Sequence, residues 1–395
     1  MMHGKRGRRV GGFLAVASVA MVAACGGDDG GGAGGSRDEV VADAVEAYAT
    51  GVHAAYSASA ASATAMDASI DAFLAAPTDD TLAAARQAWL DARDDYGLTE
   101  AFRFYSGPID DEETGPEGLI NAWPMDEAYV DYVEGSPEAG IVNDPSTYPT
   151  IDAALLTELN EAGGETNIST GWHAIEFLLW GQDLSADGPG ERPASDYTDA
   201  ANADRRGTYL GVASDLLLSH LNGLVVAWAP DTDDNYRAEF LALDPDEAMT
   251  KIITGIGELS RGELAGERMN VAYSERSQED EHSCFSDNTT ADLVANAKGI
   301  EMVLTGEYPG ATGPGVLDAI AAVDEDIAEQ LRAEVAASVA AVSAVPAPFD
   351  QHLSEGVPDS DPGRASILSG IQALEAQTPT IVAGAEALGL QINVS

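Results

Sequence analysis

The chain has 395 residues, with 67 Asp and Glu against 19 Lys and Arg and a formal net charge of −48. Such an excess of negative charge repels phosphate backbones and anionic lipid surfaces, which excludes nucleic acid as a partner. Most of these carboxylates are expected to serve solubility, and the length suits two domains of ordinary size.

The N-terminus has the pattern of an export signal. Four basic residues precede an apolar stretch over 13–21, which is shorter than the ~20 residues that a membrane-spanning helix needs. Small residues then lead to Cys25, and this arrangement resembles the lipobox of bacterial lipoproteins. We predict a signal peptide over 1–24, a lipid on Cys25 and a glycine-rich tether within 25–36.

The predicted lipid would anchor an exported protein to a membrane of the cell envelope. Gly26 follows the cysteine instead of the aspartate that retains lipoproteins at an inner membrane, so an outer membrane is favoured where there are two. Arg8 and Arg9 offer twin-arginine export as an alternative route. With Cys25 lipidated, Cys284 has no intrachain partner and no disulfide is expected.

After the tether, helical periodicity continues nearly throughout, and strand-like alternation is nowhere sustained. In chain order, the predicted helices cover about 37–76, 80–96, 155–161, 172–180, 207–228, 245–260, 292–304, 316–342 and 364–388. Residues 106–150 and 188–204 are rich in Gly, Pro and Asp and are predicted to be loops. The pattern predicts an all-α fold of two helical bundles, 37–230 and 236–395, with a pocket between them.

A first candidate site lies in the predicted helix at 172–180. His173 and Glu176 are three residues apart and therefore share a face, with Trp172 beside them. An imidazole and a carboxylate on one face make half of a metal site, and helical bundles build di-iron sites from this pair in the reverse order. The alternative is a buried histidine that is hydrogen-bonded to a glutamate without a metal. The zincin pattern His-Glu-x-x-His is absent here.

A second candidate site lies in the segment 279–287, which holds oxygen, nitrogen and sulfur donors close together. Glu279, His282 and Asp287 are the residues of interest, and Cys284 lies between them. Carboxylates with an imidazole suit iron or manganese, whereas a thiolate would favour zinc or copper. The alternative is a solvated acidic turn in which Cys284 is only a small buried hydrophobe.

A third patch contains Glu100 and Arg103. These residues are three apart and could form a surface ion pair, which would add little stability. The functional alternative has Glu100 facing a pocket while Arg103 holds an anion.

The three segments together resemble the imelysin family. Gly171-x-His173-x-x-Glu176 is similar to its signature, the run from Glu100 to Asp110 resembles its first patch, and residues 278–289 resemble its iron-regulated branch. The resemblance spans about 40–390 and implies two helical bundles, an envelope location and a role in iron handling. It implies His173 and Glu176 as pocket residues, followed by Glu100, Arg103 and Asp287. With the donor-rich segments, we predict His173, Glu176, Glu100 and Asp287 as metal residues, and Arg103, Trp172, Glu279 and His282 as residues that line the pocket. One departure is Thr290, where a histidine is usual in that branch.

These observations favour an envelope lipoprotein that binds a metal ion for capture or uptake. Iron is the favoured ion, and zinc and copper are alternatives. The expected partners are this ion, the membrane through Cys25, and envelope proteins of iron transport. Two alternatives stay open: a metallopeptidase, for which a third protein ligand would be needed, and a metal-free module whose inter-bundle cleft binds a partner.

Overall fold

The computed structural model describes residues 36–185, 188–354 and 356–394. The predicted signal peptide, the lipidated Cys25 and nearly all of the tether lie outside the described residues. The helices are α1 (Arg37–Ala75), α2 (Asp79–Gly97), α3 (Glu117–Ile120), α4 (Glu127–Val130), α5 (Gly140–Asn143), α6 (Ala153–Leu159), α7 (Gly171–Trp180), α8 (Ala203–Ala227), α9 (Tyr236–Leu241), α10 (Pro245–Glu258), α11 (Ala272–Glu275), α12 (Thr289–Thr305), α13 (Val316–Ala321), α14 (Glu325–Ser343) and α15 (Pro362–Ala387).

The predicted all-α fold is confirmed for the described part of the chain. The strands found there are β1 (Glu307–Tyr308) and β2 (Ala311–Thr312), which form one short antiparallel pair. Helix starts follow local chemistry: Thr78 caps α2 by accepting a hydrogen bond from the backbone of Thr81. A 3₁₀ turn, Leu98–Phe102, then continues directly from α2.

Two helices differ from the prediction. The predicted helix over 316–342 is broken into α13 and α14, because Asp324 leaves helical geometry and caps the second helix. The predicted helix over 245–260 is longer than expected. It continues from α10 through a π-helical segment, Leu259–Val271, into α11. The π-helical segment carries Arg268, which is buried within it.

The long helix α1 is at the centre of the core. It packs against α2 and α8 on one side of the predicted bundle boundary, and against α10 and α13 on the other. By length and composition α8 could span a membrane, but Tyr209, Leu210 and Leu217 are buried where it packs on α1 and α7. One face of α8 therefore belongs to the core. The division into bundles at 230–236 stays a prediction.

Candidate metal centre

The buried helix α7 carries the first candidate motif. Every residue of α7 is buried, so its polar side chains have no contact with solvent. The helix begins at Gly171, whose φ of +83° lies in the left-handed region. A Cβ at this position would lie 2.3 Å from the backbone oxygen of Ile120. Glycine is required because it lets α7 start in close contact with the end of α3.

His173 and Glu176 form a buried hydrogen-bonded pair. Nδ1 of His173 lies 2.9 Å from Oε2 of Glu176, and both side chains are fully buried. The other carboxylate oxygen of Glu176 accepts hydrogen bonds from the backbone N–H of Ser286 at 2.9 Å and from its hydroxyl at 2.6 Å. Nε2 of His173 is buried without a hydrogen-bond partner. Because an unpartnered buried polar atom is costly, a water molecule or a metal ion bound to this nitrogen would stabilise it.

His282 repeats this arrangement on the loop that precedes α12. Its Nδ1 lies 2.9 Å from Oδ2 of Asp292. The same oxygen accepts a hydrogen bond from the hydroxyl of Ser283 at 2.6 Å and pairs with Arg93 at 2.9 Å. The rings of His173 and His282 meet edge to face, with centroids 4.8 Å apart. The structure therefore brings together two imidazoles, each with Nδ1 held by a carboxylate.

Burial controls the protonation of both pairs. It raises the pKa of Glu176 to about 8, against the opposite effect of the Ser286 hydrogen bonds. It lowers the pKa of His173 well below the usual range, and that of His282 to about 4. Burial would also raise the pKa of Asp292, but Arg93 and His282 lower it overall. Both imidazoles are therefore neutral at neutral pH, which is the protonation state that binds metal ions.

A cavity of about 410 Å³ lies beside His282. Trp123 lines it, and the Trp123 ring packs against His173 with centroids 4.8 Å apart. The other lining side chains are mostly charged, with Arg103 and Arg268 among them. The cavity is thus polar and reaches the histidine pair from the side of His282.

Glu100 and Arg103 belong to a charged network at the wall of this cavity. Oε2 of Glu100 accepts hydrogen bonds from Arg103 and Arg268, each at 2.6 Å. Burial alone would raise the pKa of Glu100, but the two guanidinium groups lower it overall. Asn121 connects this network to the histidines, because it accepts a hydrogen bond from Arg93 at 2.6 Å and donates one to Glu100 at 3.4 Å. Glu100 is therefore ionised and already held by two cations.

Trp172 and Glu279, which were predicted to line the pocket, have other places. Trp172 is fully buried beneath Arg93, whose guanidinium carbon lies 5.7 Å from the ring centroid. The Trp172 ring therefore packs against the guanidinium group of Arg93, which pairs with Asp292. Glu279 is exposed, and its neighbour Asp280 lines the cavity.

The second candidate segment divides between two groups of side chains. His282 is one of the two histidines described above, and Ser286 donates a hydrogen bond to Glu176, the partner of the other. Asp287 instead lies with Asp183 and Asp350, and one carboxylate oxygen of each lies within 4.8 Å of the others. Cys284 is a free, buried cysteine within the hydrophobic core, which agrees with the simpler of its two interpretations.

The residues that the sequence did not single out are mostly those that position the histidines. Asp292, Arg93 and Trp123 contact one histidine or the other, and Arg268 holds Glu100. For Arg93 and Arg268, the available signal was the small number of basic residues in the chain, 19 against 67 acidic ones. An arginine that such a chain buries is expected to pair with a specific carboxylate. Nothing local in the sequence distinguishes Asp292 from an ordinary first-turn helix residue.

Comparison with known protein families identifies the class of protein to which this chain belongs. The family model for imelysin, which carries an M75 peptidase label, matches residues 52–381. The chain belongs to the imelysin family.

Individual relatives agree with this membership. Iron-regulated protein A of Synechococcus elongatus is 28% identical over 336 residues, which cover 82% of this chain and 80% of that protein. The crystal structure of a protein from Parabacteroides distasonis, described as an iron-regulated protein A precursor, superposes with a TM-score of 0.70 at 17% identity, covering 90% of this chain and 97% of that one. An imelysin-like protein from Psychrobacter arcticum gives a TM-score of 0.61 at 15% identity, over 90% and 98% of the two chains. At 17% and 15% identity, the two crystal structures show a similarity of fold alone.

Proposed function

We propose that the protein is a cell-envelope lipoprotein that binds a metal ion, with iron favoured, for capture or uptake. The observation that carries this proposal is the buried Nε2 of His173, which has no partner while its Nδ1 is held by Glu176. Metal-binding histidines characteristically donate the other ring N–H to a carboxylate, which fixes the tautomer and orients the ring. His282 with the ionised Asp292 matches that pattern, and His173 with Glu176 would match it once Glu176 has given up its proton.

The donor set favours a transition metal. Imidazoles suit iron, zinc, copper and nickel, and nearby carboxylates shift the preference toward iron or manganese. Iron is further supported by the name of the Synechococcus relative. We assign His173 and His282 as the ligands, and Glu176 and Asp292 as the carboxylates that orient them. The charged cavity beside His282 is the proposed route of entry, and envelope proteins of iron transport are the proposed recipients.

Binding would require one proton to move and one to leave. At neutral pH, a protonated Glu176 donates to Nδ1 of His173, and Nε2 carries the imidazole proton. A metal ion needs a deprotonated Nε2. The proton of Glu176 would therefore move to Nδ1 of His173, and the new N–H would donate a hydrogen bond to the ionised Glu176. The proton on Nε2 would be released to solvent.

The direct test compares metal content and titrated affinity of the purified protein with those of His173→Gln and His282→Gln. His352→Gln is the matched control, because Nδ1 of His352 also lies 2.9 Å from a carboxylate, that of Asp361, but outside this cavity. We expect near-stoichiometric iron in the wild type and the control, and its loss in the first two variants. Equal metal content in all four proteins would contradict the proposal and favour a metal-free binding module.

A second variant tests the tautomer without removing a ligand. In Glu176→Gln, the amide oxygen must face Ser286, whose backbone N–H can only donate. The amide nitrogen then donates to Nδ1 of His173, which keeps the proton on Nε2 and blocks metal binding. We expect a folded protein with no iron. Wild-type iron affinity in this variant would exclude Nε2 of His173 as the ligand.

The lipid anchor is a separate part of the proposal. It rests on the basic, apolar and small-residue sequence that ends at Cys25. Labelling with a radioactive fatty acid should mark the wild type and not Cys25→Ser. Cys284→Ser is the control, since it removes the other cysteine, which is buried. Labelling that survives in Cys25→Ser would contradict the anchor and leave the metal site untouched.

A further inference from the structure

Three aspartates that are far apart in the sequence converge next to the histidine pair. Asp183 follows α7, Asp287 precedes α12, and Asp350 lies in the 3₁₀ turn Asp350–His352. One oxygen of each lies within 4.8 Å of the others. Asp183 and Asp350 are mostly buried, and both oxygens of Asp287 are buried without a hydrogen-bond partner. We call this group the aspartate cluster.

An independent observation at this place is the side chain of Glu281. It is fully buried, and neither of its carboxylate oxygens has a hydrogen-bond partner. Its strongest charge interactions are with Asp350, Asp287 and Asp183, which are all carboxylates. A buried carboxylate is ordinarily paired with a cation or held by hydrogen bonds. Glu281 has neither, and the carboxylates that act on it most strongly are those of the aspartate cluster.

The aspartate cluster is therefore chemically incomplete. Among the described residues, the side chain of Gln278 and the backbone N–H of Ser185 donate hydrogen bonds to Asp183, whereas neither oxygen of Asp287 has a hydrogen-bond partner. Crowded carboxylates in a partly buried place repel one another unless they are protonated or a cation lies among them. In agreement, burial and the neighbouring carboxylates raise the pKa of Asp183 to about 6 and of Asp287 to about 7.

We propose that the aspartate cluster and Glu281 form a second cation site, which binds a hard divalent ion, Ca²⁺. All of its donors are carboxylate oxygens, which suit Ca²⁺, Mg²⁺ and Mn²⁺ and not the softer transition metals. Oxygen ligands lie about 2.3–2.6 Å from Ca²⁺, so two of them are at most about 5 Å apart. The spacing of 4.8 Å among the aspartate oxygens fits that limit. Mg²⁺ demands a smaller octahedron.

This site goes beyond the proposed iron site and uses different donors. The loop from Glu281 to Asp287 connects the two sites. His282 is one of the two histidines and Ser286 donates a hydrogen bond to Glu176, while Asp287 belongs to the aspartate cluster and Glu281 is affected most strongly by it. A Ca²⁺ ion would tie this loop to the end of α7 and to the turn at Asp350. We therefore expect it to stabilise the folded protein by mass action.

The experiment titrates Ca²⁺ into the purified full chain after treatment with a chelator, by calorimetry and by the shift in Tm. Asp287→Asn is the main variant, and Glu281→Gln is a second that keeps the shape of an unpartnered side chain. Asp233→Asn is the matched control, because Asp233 is an exposed aspartate in another acidic stretch. We expect saturable binding of one Ca²⁺ with a rise in Tm. Asp287→Asn and Glu281→Gln should each lower the Ca²⁺ affinity roughly tenfold or more, since even changes to groups that only orient metal ligands cost about 10–100-fold in affinity.

Two results would overturn the proposal. One is the absence of saturable binding at about 1 mM Ca²⁺, the weak end of protein calcium sites. The other is equal Ca²⁺ affinity in Asp287→Asn and Asp233→Asn, which would mean diffuse attraction to an acidic surface. The iron proposal is judged separately by His173→Gln, which should lose iron and keep the Ca²⁺ response.

Discussion

Glu176→Gln makes a quantitative prediction about the metal-free protein. Burial raises the pKa of Glu176 from 4.5 to about 8. Each pKa unit corresponds to about 1.4 kcal/mol, so ionising this carboxyl in the folded protein costs roughly 5 kcal/mol. Because the folded pKa lies above the unfolded one, the stabilisation is fully present below about pH 4.5 and is lost as the pH rises toward 8. Glutamine resembles the protonated form and has no such dependence.

The assay is urea unfolding of the wild type and Glu176→Gln between pH 5 and 8 with a chelator present. The other titrating groups are common to both proteins, so we compare their difference in the free energy of unfolding. Over that range, the wild type should lose about 3.5 kcal/mol relative to the variant, at up to about 1.4 kcal/mol per pH unit. Glu158→Gln is the control, since Glu158 is exposed on α6. A difference between wild type and Glu176→Gln that stays constant with pH would refute the reasoning.

Four further outcomes are expected from the contacts described above. Calorimetry of iron binding at pH 7 in buffers of different ionisation enthalpy should show release of about one proton, and no release would exclude the tautomer change at His173. Glu100→Gln should lower the free energy of unfolding by roughly 2–3 kcal/mol, because Arg103 and Arg268 each lose a charged hydrogen-bond acceptor while Glu117 and Glu263 still pair with them; a change below 1 kcal/mol in urea unfolding would contradict this. Gly171→Ala should destabilise by about 2 kcal/mol or more through its positive φ and the close backbone oxygen of α3. Gly223→Ala on α8, which has open space, should stabilise by up to about 1 kcal/mol in the same assay.

The sequence predicted the class of fold and most helix positions, because apolar periodicity and capping residues are local signals. It missed the break at Asp324, since both halves of 316–342 are helical in composition. It also missed the π-helical segment, because a π turn depends on packing and leaves no clear pattern.

The sequence predicted only that part of the candidate site which depends on local spacing. His173 and Glu176 share a face by spacing alone, and the structure places them in contact. The partners of His282 could not be predicted, because Asp292 and Arg93 are brought together by tertiary packing across 199 residues of chain. Asp287 was grouped with His282 by proximity in sequence, yet neighbouring loop residues point to different sides.

The complete burial of His173 has a kinetic consequence. If an ion binds Nε2 as proposed, it has no path to solvent through α7, which is buried over its whole length, and would leave through the cavity beside His282. Because the Trp123 ring packs against His173 at the wall of that cavity, departure would require packed groups to move, and collective motions of this kind take microseconds to milliseconds or longer. The residence time of the ion would then depend on protein opening, in addition to the strength of its bonds. Free chelators would remove it slowly, whereas a recipient protein that pulls the helices apart would shorten the residence time without changing a ligand.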